Sequence, residues 1–262
     1  GLLLAKAKLL SQRDKGNLLE VESVLSKALD IDPKLVQAYI MRGMRYVRGK
    51  QYEKAIADFT RTIELDAKDA QAHFHRGQCF RKLNRYAEAE KDFKRAIDLD
   101  NREPIFYLER ARLFFEQEKY DKAESDLQAL LSIAPRMEHA KVLYCHVLAS
   151  KGKQEEALTI LNELEKGRHL LDTRLNIAEA YIALGVPQKA LAILPPKELP
   201  PKHRLRMIPE MFKAIAEIIL GDEITALTRE KVASLAHSRK ESKTSWNWTE
   251  LRQYIKRAGG NQ

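Results

Sequence analysis

Cysteine is scarce in this chain, with Cys79 and Cys145 alone among 262 residues. Two thiols this far apart suit neither a disulfide framework nor a thiolate zinc site, and such usage is expected of a reducing intracellular compartment. Cytoplasmic, ciliary, mitochondrial and nuclear settings all satisfy that expectation. Long apolar runs are missing too: no stretch approaches the roughly 20 residues that cross a bilayer, so membrane insertion is not expected. The opening GLLLAKAKLL has a short apolar core, no basic region before it and no small-residue cleavage site after it. It fits a first helix better than a signal peptide. Gly1 stands where an initiator Met would, as expected of an internal point of a longer protein and equally of a processed one.

Motifs that carry chemistry are absent as well. There is no glycine-rich phosphate loop, no GxSxG and no HExxH, and the seven histidines include no i,i+4 pair beside an acid. No catalytic residue, cofactor or metal site is expected, and the chain reads as a non-enzyme. Glu88, Glu90, Lys91, Asp92 and Lys94 alternate in sign, which reads as a solvated helix face. Asp98 and Asp100 return as Glu64 with Asp66 and as Asp30 with Asp32, which assigns them to turns.

What the chain does have is a period. Tyr52, Ala55 and Phe59 return 34 residues later as Tyr86, Ala89 and Phe93, then as Tyr120, Ala123 and Leu127. A fixed period of this size marks a stacked repeat architecture. Gly43, Gly77, Ala111, Cys145 and Ala178 fill one small-residue slot, where two helices must cross closely. Cys145 in that slot acts as a compact hydrophobe. Tyr39, His73 and Tyr107 precede the slot by one helical turn, and Pro33 and Pro135 stand where a helix must stop.

These residues resemble the tetratricopeptide repeat, with its sequence of aromatic, small, aromatic, Ala, aromatic, Ala and Pro over a helix-turn-helix. Residues 38 to 66, AYIMRGMRYVRGKQYEKAIADFTRTIELD, and 72 to 100, AHFHRGQCFRKLNRYAEAEKDFKRAIDLD, match the pattern best. The resemblance implies an all-α, right-handed superhelical solenoid of about six helix-turn-helix repeats. Units begin near residues 2, 36, 70, 104, 138 and 171 and run to about 197. The pattern thins at both ends, with Leu18, Val21 and Leu25 in the aromatic and Ala slots of the first unit and Pro187 in the Tyr slot of the sixth.

Residues 194 to 203, LPPKELPPKH, break the helical pattern as a stiff connector. Beyond them, 207 to 220 and 223 to 236 read as C-terminal capping helices within a segment 198 to 239. Residues 240 to 262 form a basic tail with a short helix over 249 to 258. From residue 199 onward, 12 Lys or Arg stand against 7 Asp or Glu, which supplies +5 of the chain's net +9. Trp246 and Trp248 lie among these charges and are expected to dock on the solenoid or on a partner.

In the family, the first helix of each unit lines a concave groove. Carried onto this chain, the groove positions include Ile40, Met44 and Arg48 of the second unit. They continue with Phe74, His75, Gln78, Arg81 and Lys82 of the third, and Leu108, Arg112 and Phe115 of the fourth. Such a surface is apolar with a basic middle. It suits an acidic, amphipathic peptide or helix, whose carboxylates would meet Arg48, Arg81, Lys82 and Arg112. The Lys and Asn clamp of chaperone-binding members is absent, because its positions read Ile40 with Met44, Phe74 with Gln78, and Leu108 with Arg112. The expected function is a protein-interaction scaffold or adaptor within a larger protein or multi-subunit assembly. The alternative is a helical-repeat component of a ribonucleoprotein that contacts RNA through basic surface.

Overall fold

A residue with left-handed backbone recurs through the chain. Lys50, Asn84, Glu118, Gly152 and Gly185 have φ of 58°, 59°, 59°, 77° and 71°. Each sits in the turn that reverses one helix into the next. Lys50 and Glu118 hold this conformation at a cost of about 1–2 kcal/mol each, whereas the short polar side chain of Asn84 tolerates it better.

The computed structural model describes residues 2–12, 18–167 and 169–194, with Lys213 and Ala216. Among these the structure is all-α. The pairs are α1 (Leu2–Gln12) with α2 (Leu18–Ile31), α3 (Val36–Arg48) with α4 (Tyr52–Leu65), and α5 (Ala70–Lys82) with α6 (Tyr86–Leu99). They continue with α7 (Pro104–Glu116) and α8 (Tyr120–Ile133), α9 (Glu138–Ser150) and α10 (Gln154–Glu165), and α11 (Leu171–Ala183) and α12 (Pro187–Ile193). The helices divide between two compact units, Gly1–Pro135 and Arg136–Gln262. Apart from Leu194, Lys213 and Ala216, the connector, the capping helices and the Trp tail expected from the sequence lie outside the described residues; Lys213 and Ala216 are helical, and Leu194 and Ala216 are buried.

Helix starts follow local chemistry. The Asp69 carboxylate accepts the Ala72 N–H at 2.9 Å and caps α5. Pro104 opens α7, where its missing N–H is no loss. Asp32, Asp66 and Asp100 each accept, at 3.0 Å, the backbone N–H two residues on, which fixes the turn out of α2, α4 and α6.

In the first unit the core repeats with the period. Ala55, Ala89 and Ala123 are fully buried, as are Phe59, Phe93 and Leu127. A Cβ on Gly77 would stand 2.9 Å from the Phe93 ring and 3.3 Å from Cβ of Asp92, and one on Gly43 would stand 3.0 Å from the Phe59 ring. Glycine therefore fits best where the partner helix offers a phenylalanine, since a methyl group there would crowd the ring. Where Leu127 replaces the phenylalanine, the slot holds the buried Ala111.

A second ladder is ionic. Arg42 donates to both oxygens of Asp58 at 2.9 and 2.8 Å, and Arg110 does the same to Asp126 at 2.8 and 2.6 Å. Arg76 and Asp92 form the middle rung. Asp58, Asp92 and Asp126 are only 4%, 3% and 5% exposed. This corrects the reading of Asp92 as part of a solvated charge run. Lys91 and Lys94 of that run are exposed and Glu88 and Glu90 half-exposed, but Asp92 itself points into the hairpin.

The second unit has a more apolar centre, built on Leu161, Leu175, Ile177 and Tyr181. Tyr181 is fully buried, and its hydroxyl donates to Glu165 at 2.8 Å, with the Asn162 side-chain oxygen 3.1 Å away. Burial and the Glu165 carboxylate push the phenol well above its ordinary range. Arg174 donates to the carbonyl of Ile193 at 2.9 Å and closes the end of α12.

Candidate functional site

The first helices of the pairs in the first unit, α3, α5 and α7, bring most of the expected partner-binding residues into view. Their placement is uneven. Ile40 and Met44 on α3 are half-buried, and Arg48 in its last turn is exposed. On α5, Phe74 is 4% exposed and packs on Phe93 and Phe106, with ring centroids 6.0 and 4.9 Å apart. Leu108 on α7 is equally buried. Phe74 and Leu108 thus fill the space between helices, while Met44, His75, Gln78 and Phe115 keep part of their surface open.

His75 lies over the Phe59 ring, stacked at 5.6 Å, and tilts against Phe74 at 5.2 Å. Its Nδ1 meets the Gln78 side-chain oxygen at 3.2 Å. Burial against these rings lowers its pKa, with Gln78 acting in the opposite direction, so the imidazole is neutral near pH 7. Phe115 tilts against Tyr120 at 5.8 Å.

The basic middle expected from the sequence is largely neutralised from within. Arg81 Nη2 donates to Glu109 Oε2 at 3.0 Å, and Arg81 Nη1 donates to Glu116 Oε1 at 2.6 Å. Arg112 Nη1 donates to the other Glu109 oxygen at 2.8 Å. Lys82 is exposed beside this network, and partial desolvation together with Arg81 next to it lowers its pKa. Arg48 and Lys82 have no carboxylate within 4.0 Å among the described residues.

The pairing role of Glu109 and Glu116 was not legible in the sequence. Glu109 stands three residues before Arg112, a local signal, but its contact with Arg81 spans 28 residues and depends on how α5 and α7 pack. Trp246 and Trp248 lie outside the described residues.

No group of three or more His, Cys, Asp or Glu among the described residues could hold a metal ion. Both cysteines are free and buried, and burial pushes each thiol up to about 12. Cys145 occupies the small-residue slot of α9, with its thiol donating to the Ala157 carbonyl at 3.5 Å. No helix among the described residues is long and apolar enough to cross a membrane.

Comparison with known proteins places these hairpins. Residues 40–104 match one model of the tetratricopeptide repeat, and residues 114–169 match another. No curated protein matches the chain. Among solved structures, a tetratricopeptide repeat protein from Parabacteroides merdae is similar over 98% of this chain and 98% of its own, at 16% identity and a TM-score of 0.72. The APC/C hetero-tetramer Cut9–Hcn1 is similar over 89% of this chain and 42% of that chain, at 15% identity and a TM-score of 0.60. YrrB, described as a tetratricopeptide repeat protein with an unusual peptide-binding site, is similar over 79% of this chain and 97% of its own, at 21% identity and a TM-score of 0.52. At these identities the likeness is one of fold.

Proposed function

The chain is a tetratricopeptide repeat protein, and from that premise we propose that it is a non-enzymatic interaction scaffold holding an amphipathic peptide or helix on α3, α5 and α7. Repeat proteins of this family generally mediate protein–protein contacts. The observation behind the reading is the mixed character of the inner helices. Met44, His75, Gln78 and Phe115 leave apolar and hydrogen-bonding surface half open, and Arg48 and Lys82 stand exposed without an internal carboxylate among the described residues. An apolar ligand face would rest on the first set, and acidic side chains would meet the second. The Cut9–Hcn1 assembly and the peptide site named for YrrB offer analogies for both an assembly subunit and a peptide holder. Buried free thiols suit a reducing intracellular setting.

A pool of synthetic helix-forming peptides, amphipathic and bearing Glu, Gln or Lys on the polar face, tests the reading by fluorescence anisotropy. The acidic members should bind. Met44→Asp and His75→Asp should weaken binding at least tenfold, with circular dichroism showing that both variants remain helical. Failure of every peptide to bind, or full binding by both variants, removes the proposal. A single-stranded RNA that binds more tightly than the acidic peptides, with a steep fall in affinity as salt rises, would favour the ribonucleoprotein alternative.

A further inference from the structure

The ion pairs on the inner helices of the first unit are not held equally. Arg81 and Glu109 form a fixed centre, with side chains 11% and 6% exposed and joined at 3.0 Å. Arg112 occupies the second Glu109 oxygen, so this acid has both oxygens engaged and little exposed surface. Glu116 differs. It is the last residue of α7, its side chain is 25% exposed, and Arg81 is its ion-pair partner among the described residues. Nε of Arg81 is buried with no acceptor. Lys82 follows directly in sequence and has no carboxylate within 4.0 Å among the described residues.

We infer that Arg81 is the carboxylate-reading residue of this surface, and that Glu116 occupies it in the unbound protein until an acidic side chain of the bound peptide takes its place. The inference rests on the peptide-holding reading above and names what the peptide must present. Glu109 fixes the guanidinium before any ligand arrives, so little side-chain freedom is lost when a second carboxylate approaches Nη1. Arg81, Arg112, Glu109 and Glu116 sum to zero charge. When Glu116 turns away, one positive charge is uncovered beside Lys82, and one ligand carboxylate restores the balance. Glu116 returns to water from a position that is already partly solvated, so its release costs little. A ligand without an acid leaves the internal pair in place. The tethered glutamate thereby acts as a filter against neutral and basic peptides.

The test compares the wild-type chain with E116Q by calorimetric titration at about 0.15 M ionic strength. The probes are the tightest acidic peptide of the pool described above and its counterpart with every Glu replaced by Gln. The glutamine variant loses the competing charge and keeps the shape. It should bind the acidic peptide about two- to fivefold more tightly, the range set by an exposed ion pair, and bind the Gln counterpart no differently from wild type. Equal or weaker binding of the acidic peptide by E116Q, with wild-type binding intact, overturns the role of Glu116 and leaves the peptide-holding reading standing. An equal gain for both peptides also overturns it, because the gain would then not depend on charge. If neither protein binds either peptide, both readings fall together. A single-stranded RNA as third probe that gains affinity in E116Q while the acidic peptide does not overturns the assignment of a peptide carboxylate.

Discussion

Arg76 grips Asp92 through two parallel hydrogen bonds, Nε to Oδ2 at 2.7 Å and Nη2 to Oδ1 at 2.8 Å, sixteen residues apart in sequence and on facing helices of one hairpin. The third arm of the same guanidinium donates to the Thr60 hydroxyl of the preceding hairpin at 3.1 Å. Arg42 repeats the arrangement with Asp58 and Ser26. A single side chain therefore closes its own hairpin and ties it to the one before. Such a link adds to the nearest-neighbour coupling on which a stacked repeat depends.

Asp92 is the most demanding member of this link, because it also meets Nδ1 of His73 at 3.1 Å. Asp92→Ala would leave a mostly buried guanidinium without its carboxylate. We expect a loss of about 3–5 kcal/mol, read as a lower midpoint in urea denaturation. Replacing both partners, as Arg76→Met with Asp92→Leu, should cost clearly less than the single change, because no charge is then left unpaired. A double variant less stable than Asp92→Ala would contradict this account.

Gly77 and Phe93 make a size-matched pair. A methyl group at Gly77 would come within 2.9 Å of the ring, so one of them must move. Gly77→Ala should destabilise the protein by about 1–3 kcal/mol, the usual range for overpacking. Adding Phe93→Leu should return much of that loss, because the next hairpin already combines Ala111 with Leu127 at the same positions. Thermal denaturation of the two variants decides it, and the idea fails if the second substitution only adds to the damage.

The contrast between these two pairs shows what the sequence could reveal. Gly77 and Phe93 stand out because a small residue and an aromatic one recur together at a fixed interval where two helices cross closely, so the helical hairpins were legible from spacing alone. Arg76 and Asp92 recur with the same period, yet a charge on a helix usually means water, and in a run of alternating signs Asp92 looks like its exposed neighbours. Only the hairpin's crossing shows which charge turns inward. The first helices of the pairs entered as a candidate contact surface by another route, because the family resemblance places groove positions on them. The pairing of Arg81 with two carboxylates was hidden, because Glu109 and Glu116 lie 28 and 35 residues away and reach it only after α5 and α7 have packed.

His75 gives the first unit a pH dependence. Its folded pKa lies below the unfolded value of about 6.5, chiefly because burial against Phe59 and Phe74 opposes charging. The unfolded chain therefore takes up the proton first as pH falls. The stability tied to neutral His75 is complete above the unfolded pKa and is lost as pH drops towards the folded one. His75→Phe keeps an aromatic ring beside Phe59 without a titrating group. Urea midpoints of the two proteins should run parallel above about pH 7 and diverge below about pH 6.5, with the wild type losing more. Curves that stay parallel down to pH 5 would show that His75 charges as freely in the folded chain as in the unfolded one.

Glu109 and Glu116 contact the same arginine, and their different burial predicts different costs of removal. Glu109→Gln takes a charge from a site 6% exposed and loosens both Arg81 and Arg112. The expected loss is about 3 kcal/mol, typical of leaving one member of a buried pair without its counter-charge. Glu116→Gln takes a charge from a site 25% exposed that has one arginine contact, and its cost should stay within about 1 kcal/mol. The salt response should separate them further. Raising ionic strength screens the solvated pair and hardly touches the enclosed one, so the small deficit of Glu116→Gln should shrink towards zero while that of Glu109→Gln persists. Equal deficits, or a Glu109→Gln deficit that vanishes with salt, would mean that Arg81 is held by solvent-exposed charge and not by a fixed buried partner.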